Sequence, residues 1–262
     1  MAPSSAGTCG APGHRRRPPG ARWWSSCTAA RGRAAGGGES PRWNEWLTAG
    51  GAAVLDVDYR LAPDADWRAM SGDVGCALAR VRTLAAEYRL DPRRVVVMGS
   101  SAGGHLGLLA GYSPTVSSCG GDAVRPAAIV ALYPPADLTS LAGADGWRYP
   151  EVVPDNTLHE LMRSGPDTAP EAWREASPVT HVRAGAPPTL LLHGTHDQIV
   201  PVEQSRELER AGRTRGADIG LVELPFANHS YDLVWGGVNA QLGRGELARF
   251  LERTVGVRPP TG

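Results

Sequence analysis

Residues 93–110, RRVVVMGSSAGGHLGLLA, constrain the fold of this chain more than any other segment. Residues 95–98 form a short apolar run rich in β-branched side chains, which predicts a strand covered on both faces of a parallel sheet. The small and apolar residues from Leu106 onward predict a helix packed on that sheet. Residues 99–103 between them fit the pattern G-x-S-x-G with Ser101 at the centre. A strand, a tight turn and a helix in this order predict a nucleophile elbow, which presents the serine hydroxyl at the carboxyl edge of the sheet.

The pattern G-x-S-x-G by itself is short, and a structural serine-rich turn is the alternative. The flanking strand and helix favour Ser101 as a nucleophile because the elbow requires that setting. Since the predicted helix begins at the elbow, the backbone N–H of Ala102 is a candidate donor to a substrate oxyanion.

Strand and helix patterns alternate along the rest of the chain, which predicts an α/β fold with a mostly parallel central sheet and helices on both faces. With 262 residues, we expect one α/β domain over residues 41–258. The irregular stretch at about 138–178 lies between two predicted core strands, so we expect a small cap insertion there. The predicted strands are 53–59, 95–98, 127–133, 189–192 and 220–224, and the predicted helices 43–48, 66–89, 202–213 and 241–251.

Composition excludes several classes of partner. The 27 basic and 27 acidic residues cancel, so we expect no nucleic acid partner. No stretch approaches the ~18 apolar residues of a membrane span, which predicts no membrane partner and a cytoplasmic protein. The four cysteines show no metal-ligand spacing, and we expect reduced thiols rather than disulfides.

A serine nucleophile needs a histidine to take its proton and a carboxylate to orient that histidine. Asp197 directly follows the predicted strand at 189–192 and is therefore expected at the same sheet edge as Ser101. His229 follows the next predicted strand and, of the seven histidines, is the only one after Asp197. The weaker candidates for the acid are Asp218 and Glu203, and a loop histidine without catalytic role is the alternative for His229. For His105, His193 and His196 we expect structural roles, and we expect no metal site.

Four motifs in this order resemble the α/β-hydrolases, in particular the esterase branch related to hormone-sensitive lipase and feruloyl esterases. They are VDYRLAP at 57–63, GSSAGG at 99–104, HGTHD at 193–197 with VP at 200–201, and NHS at 228–230. The resemblance covers about residues 41–255 and implies the α/β-hydrolase fold, with Ser101 as nucleophile, Asp197 as acid and His229 as base. Ser100 departs from the acidic residue often found before the nucleophile in the lipase-like group, which favours the broader esterase assignment.

The resemblance implies a serine hydrolase that cleaves small-molecule carboxylic esters through an acyl-enzyme and uses no cofactor. Two alternatives stay open. The same triad supports a peptidase or amidase. The absence of the His-Gly-Gly oxyanion motif of this branch supports a catalytically impaired hydrolase-fold binding protein. The oligomeric state is not predicted.

Residues 1–40 are rich in Gly, Pro, Ala and Arg and contain no apolar strand pattern, so we expect a disordered leader. They are also candidates for a frame-shifted segment. Tryptophan has the single codon TGG, so the shifted codon across Trp23 and Trp24 must be GTG, which encodes valine. With G- or C-ending codons at the other positions, residues 22–30 read Val-Val-Val-Val-Val-His-Gly-Gly-Ala in this frame. That reading supplies both the early strand and the oxyanion motif that are missing here.

Overall fold

A parallel sheet of six strands organises the described part of the chain. The computed structural model describes residues 22–27, for the backbone alone, and residues 41–113, 117–143 and 157–260. Neighbouring strands are parallel and follow the order β2-β1-β3-β4-β5-β6. The strands are β1 (Arg22–Cys27), β2 (Ala52–Val57), β3 (Val96–Ser100), β4 (Ala128–Leu132), β5 (Thr189–Gly194) and β6 (Ile219–Leu224). The parallel α/β sheet predicted from the alternating pattern is confirmed.

Helices cover both faces of this sheet. They are α1 (Pro41–Ala49), α2 (Trp67–Tyr88), α3 (Ala102–Tyr112), α4 (Leu138–Gly143), α5 (Thr157–Met162), α6 (Pro170–Glu175), α7 (Pro178–His181), α8 (Glu203–Arg215) and α9 (Val238–Val255), with short 3-10 helices at Pro92–Arg94 and Tyr231–Leu233. No helix in these described residues is long and apolar enough to cross a membrane.

The continuous apolar run in β3 is explained by burial on both faces. Side chains alternate across a strand, so Val96 and Met98 pack with α1 and α9 on one face. Val97 points to the opposite face and packs with α2 and α3. All three side chains are buried. This packing holds the turn after β3 at the carboxyl edge of the sheet.

The expectation of a disordered leader over residues 1–40 is wrong for residues 22–27. The backbone of Arg22–Cys27 forms β1, which lies between β2 and β3 and pairs with both in parallel. The physical reason is that strand pairing uses backbone N–H and C=O groups, which all six of these residues carry, so a strong apolar pattern is not required. Residues 1–21 and 28–40 lie outside the described residues.

The expectation of reduced thiols is wrong for one pair of cysteines. Cys76 in α2 and Cys119 in the loop after α3 form a disulfide, with their Cα atoms 5.4 Å apart. The loop packs along α2, where Ser118 donates its backbone N–H to the carbonyl of Gly72 and its hydroxyl to Asp73. The two cysteines are 43 residues apart in the chain, and this packing, which their spacing does not reveal, brings them together.

The insertion between β4 and β5 carries four short helices in its described part. Trp173 and Leu138 from this insertion pack into one buried cluster with Trp67 at the start of α2 and Leu109 of α3. The side chain of Arg163 donates to the backbone carbonyls of residues 63 and 64. The insertion is therefore docked on α2 and α3, and its role as a cap over a pocket stays a prediction.

Candidate active site

Ser101 occupies a strained turn between β3 and α3. Its φ of 51° and ψ of −121° are unusual for a residue with a side chain. Glycine on the strand side makes the turn possible, since a Cβ at Gly99 would lie 2.3 Å from the carbonyl of Gly103. The backbone N–H of Ser101 donates to the carbonyl of Leu132 in the neighbouring strand β4. The sharp turn lifts the Ser101 side chain out at the carboxyl edge of the sheet.

Ala102 is the first residue of α3, so its N–H belongs to the first turn, whose N–H groups have no acceptor within the helix. The positive end of the helix dipole adds to the attraction of this turn for a developing negative charge. Residues 28–30, which the shifted frame reads as Gly-Gly-Ala, lie outside the described residues.

Asp197 lies in the loop after β5, and its side chain is fully buried. Its Oδ1 accepts hydrogen bonds from the backbone N–H groups of Ile199 (2.9 Å) and Val200 (2.8 Å). Burial alone raises the pKa of this carboxyl, but hydrogen bonds from His193 and His229 outweigh it and lower the pKa to about 2. Asp197 is therefore ionised at neutral pH, and both oxygens act as acceptors.

His229 links the carboxylate to the serine. Its Nδ1 lies 2.7 Å from Oδ2 of Asp197, and its Nε2 lies 3.1 Å from Oγ of Ser101. An ionised carboxylate can only accept, so Nδ1 carries the proton and Nε2 presents a lone pair to the serine hydroxyl. The geometry thus brings together Ser101, Asp197 and His229, which are far apart in the sequence.

A close approach of two loops sets the distance between Asp197 and His229. A Cβ at Gly194, the last residue of β5, would lie 2.2 Å from the carbonyl oxygen of Ala227. The N–H of His196 donates to that same carbonyl at 2.9 Å. The glycine therefore lets the loop after β6 rest directly on the loop after β5.

A second histidine faces the carboxylate of Asp197. Nε2 of the fully buried His193 is 3.4 Å from Asp197 Oδ2 and 2.9 Å from the carbonyl of Val200. Nδ1 of His193 pairs with the hydroxyl of Ser205 at 2.7 Å. Sequence reasoning predicted the structural hydrogen bonding of His193 but not its position beside the acid.

The other candidates stay away from this group. Asp218 lies just before β6, at the opposite end of the strand from His229, and its backbone carbonyl accepts from Thr189. Glu203 is in α8 and pairs with Arg206. His105 is buried in α3, where its Nε2–H donates to the carbonyl of Ala176 at 2.7 Å, and burial lowers its pKa to about 4. In the described residues, no group of three or more His, Cys, Asp or Glu side chains could hold a metal ion.

Sequence reasoning also missed the aromatic and acidic side chains behind His229. The ring of Tyr133, the residue after β4, lies 4.5 Å from the imidazole ring, centroid to centroid. Asp232, three residues after His229, hydrogen-bonds to Tyr133. The signal that could have found them is their position in the sequence. Tyr133 lies at the end of a predicted core strand, and Asp232 lies three residues after the candidate base His229.

The profile of the BD-FAE family matches residues 35–211, about two thirds of the chain. The chain belongs to the BD-FAE family. The matched range contains Ser101 and Asp197, whereas His229 lies beyond its end. For this BD-FAE protein the geometry of His229 is therefore an observation independent of the family match.

Two curated relatives come from Mycobacterium tuberculosis. Esterase LipC is 33% identical over 196 residues, 72% of this chain and 48% of the relative. Probable carboxylic ester hydrolase LipM is 35% identical over 190 residues, 70% of this chain and 43% of the relative. This BD-FAE protein thus spans about half the length of the curated relatives it matches.

The fold is also that of a solved structure. The apo form of Thermogutta terrifontis esterase 2 superposes with a TM-score of 0.76 over 92% of this chain and 87% of that chain, at 23% sequence identity. The prediction of an α/β-hydrolase fold is confirmed.

Proposed function

We propose that this chain is a serine hydrolase that cleaves small-molecule carboxylic esters. The observation that carries the proposal is the continuous hydrogen-bonded chain from Ser101 Oγ through His229 to Asp197 Oδ2. Such a chain activates a hydroxyl because the imidazole removes its proton while the carboxylate stabilises the imidazolium that forms.

In the acylation step, Ser101 Oγ attacks the ester carbonyl carbon and its proton passes to His229 Nε2. The carbonyl oxygen becomes an oxyanion, which the N–H of Ala102 stabilises. Collapse of this tetrahedral intermediate breaks the bond to the alkoxy oxygen, and His229 returns the proton to the departing alcohol. Ser101 then carries the acyl group as an ester.

In the deacylation step, a water molecule donates its proton to His229 Nε2 and attacks the acyl carbonyl carbon. The second tetrahedral intermediate expels Ser101 Oγ, which regains the proton from His229, and the carboxylic acid leaves. The buried negative charge of Asp197 stabilises the imidazolium in both steps. These steps use no cofactor or metal.

The names of the relatives support a carboxylic ester as substrate, since LipC is named an esterase and LipM a probable carboxylic ester hydrolase. A peptidase or amidase has the same catalytic triad, so the type of bond that is cleaved, ester or amide, has to be tested directly. A series of p-nitrophenyl esters of increasing acyl length, run beside a p-nitroanilide of the same acyl group, separates the two activities.

A fluorophosphonate probe tests the nucleophile. We expect a covalent adduct on Ser101, and we expect Ser101→Ala to lose both the adduct and ester hydrolysis while keeping its thermal unfolding temperature. Ser100→Ala is the matched control and should keep most of the activity. A folded wild-type protein that is neither labelled nor active would instead favour the impaired binding protein.

The cytoplasmic location stays a prediction, and the disulfide between Cys76 and Cys119 weighs against it because disulfides persist mainly in oxidising compartments. Mass spectrometry of thiols alkylated in intact cells tests the location through the state of this pair.

The frame shift before about Glu39 also stays a proposal. Its support is the coincidence that residues 22–26, which read as Val-Val-Val-Val-Val in the other frame, all lie in β1 (Arg22–Cys27). Resequencing the gene tests whether the shift is a sequencing error, and an unbroken frame that encodes residues 1–40 as printed, without a compensating pair of insertions or deletions nearby, would refute that version.

A further inference from the structure

Asp232 is a buried carboxylate that joins three separate parts of the fold behind His229. It lies in the 3-10 helix Tyr231–Leu233, and only 6% of its surface is exposed. Its Oδ2 accepts from the indole N–H of Trp43 in α1 at 2.9 Å. Its Oδ1 accepts from the hydroxyl of Tyr133, just after β4, at 2.6 Å. The segment that carries His229 is thereby tied to elements 189 and 99 residues away.

A carboxylate in this position is costly to bury and therefore calls for an explanation. In the part of the chain that the structure describes, Asp232 forms no ion pair, so its two neutral donors compensate the loss of water. If packing were the sole requirement, apolar side chains would fill the same space at a lower free-energy cost of desolvation. The carboxylate instead fixes the directions of two large side chains, because each hydrogen bond holds its donor in one orientation.

The side chain of Tyr133 transmits this constraint to the imidazole. Its ring contacts His229 at 4.5 Å between centroids, and its hydroxyl is held by Asp232. Tyr133 has a φ of 41°, a conformation that bulky residues rarely adopt and that persists where the surroundings enforce it. The rings of Tyr231 and Tyr133 also pack against each other in an edge-to-face arrangement, with 5.6 Å between centroids. The Tyr133 side chain is therefore held at the backbone, at the hydroxyl and by the ring of Tyr231.

A second contact anchors the same segment to α1. The ring of Trp235 packs edge-on against Trp43 at 5.1 Å, and the guanidinium of Arg244 in α9 stacks on Trp235 at 4.0 Å. Arg244 also donates to the carbonyl of Trp235 at 2.7 Å. Trp43 thus contacts the segment after His229 at two places, by a hydrogen bond to Asp232 and by ring packing against Trp235.

We propose that Asp232 is a positioning residue that, through Tyr133 and Trp43, holds the His229 imidazole in line between Ser101 and Asp197. This inference rests on the proposed function of His229 as the general base. The imidazole must meet two partners at hydrogen-bond distance, and an error of about 1 Å in such a placement can cost about 100-fold in rate. Asp232 contacts no reacting atom in this scheme and acts through the position of His229.

Two matched pairs of variants separate positioning from a general loss of packing. Tyr133→Phe removes the hydroxyl bonded to Asp232, and Tyr112→Phe removes an equally buried hydroxyl bonded to Thr189 at 2.8 Å. Trp43→Phe removes the indole N–H bonded to Asp232. Its control, Trp46→Phe, removes the indole N–H that donates to the carbonyl of Pro260 from the same helix.

We expect kcat for a p-nitrophenyl ester to fall about 10- to 100-fold in Tyr133→Phe, Trp43→Phe and Asp232→Asn, with KM changed less than threefold. Both controls should stay within about threefold of wild type. Thermal unfolding temperatures should fall by similar amounts within each pair. If Asp232→Asn does not fold, the two pairs still decide the question.

The proton on His229 Nδ1 supplies a readout that does not depend on turnover. Hydrogen-bonded to Asp197, it is expected as a downfield proton resonance in wild type, and to shift or broaden in Tyr133→Phe but not in Tyr112→Phe. An active wild type whose Tyr133→Phe and Trp43→Phe variants match their controls in kcat and in this resonance overturns the positioning role. If wild type hydrolyses no ester, the proposed function fails, and the resonance by itself then supports or overturns the positioning of His229.

Discussion

Replacing Asp197 by asparagine changes one atom of the carboxylate and is expected to invert the hydrogen bonding of His229. The backbone N–H groups of Ile199 and Val200 both point at Oδ1, so the amide oxygen must take that place. The amide nitrogen then occupies the place of Oδ2, 2.7 Å from His229 Nδ1, and donates to it. The imidazole proton moves to Nε2, which can no longer accept the proton of Ser101.

The magnitude follows from the loss of the base. Loss of the correct imidazole tautomer in a serine–histidine–aspartate group lowers kcat by about 10⁴-fold, or about 5 kcal/mol in the activation free energy. Little of this is expected in the binding of the ester, because Asp197 is fully buried beneath His229. KM should therefore change much less than kcat.

The assay is the steady-state hydrolysis of a short p-nitrophenyl ester by wild type and by Asp197→Asn. Asp218→Asn is the control, since this residue lies at the other end of β6 and should keep wild-type kcat. A fall of less than about tenfold in Asp197→Asn, or an equal fall in Asp218→Asn, would refute the assignment of the acid.

Three further predictions concern the elbow, acid stability and the disulfide. Gly99→Ala places a Cβ 2.3 Å from backbone atoms of the elbow helix, so hydrolysis should be lost and thermal stability reduced, whereas Gly245→Ala in α9 meets no atom within 4 Å and should be neutral or stabilise by about 0.5–1 kcal/mol. Folding lowers the pKa of Asp197 to about 2, so the ionised side chain contributes about 2 kcal/mol to the free energy of unfolding. This contribution is present above about pH 4 and is lost as the pH falls toward 2. Urea unfolding at about pH 5 and at about pH 2.5 should show the loss in wild type but not in Asp197→Asn. Cys76→Ser with Cys119→Ser should destabilise the protein by about 3–4 kcal/mol, because the disulfide closes a 43-residue separation, and equal unfolding midpoints with and without it would contradict this estimate.

Local patterns in the sequence predicted much of the fold. The β-branched run before Ser101 is buried on both faces as β3, and the helical spacing over 66–89 corresponds to α2 (Trp67–Tyr88). Ser101, Asp197 and His229 could be picked out together because each follows a predicted strand, and parallel strands end at one edge of the sheet. Their catalytic roles remain the proposal that the variants above test.

Other features were decided by the tertiary structure, and each depends on contacts that leave no local pattern. The backbone of β1 is held between β2 and β3 by pairing that does not depend on side-chain type, so its weak apolar pattern concealed it. Cys76 meets Cys119 because a loop packs along α2. Trp43 reaches Asp232 across 189 residues because α1 lies on the same face of the sheet as the segment after His229. Apart from β1, the sequence by itself determined which segments become the core strands and the long helices, and which polar residues lie at their ends, through short-range periodicity and turn chemistry. Only the packed chain decided which distant side chains meet, since burial and hydrogen bonding between them exist only once the sheet and its helices are assembled.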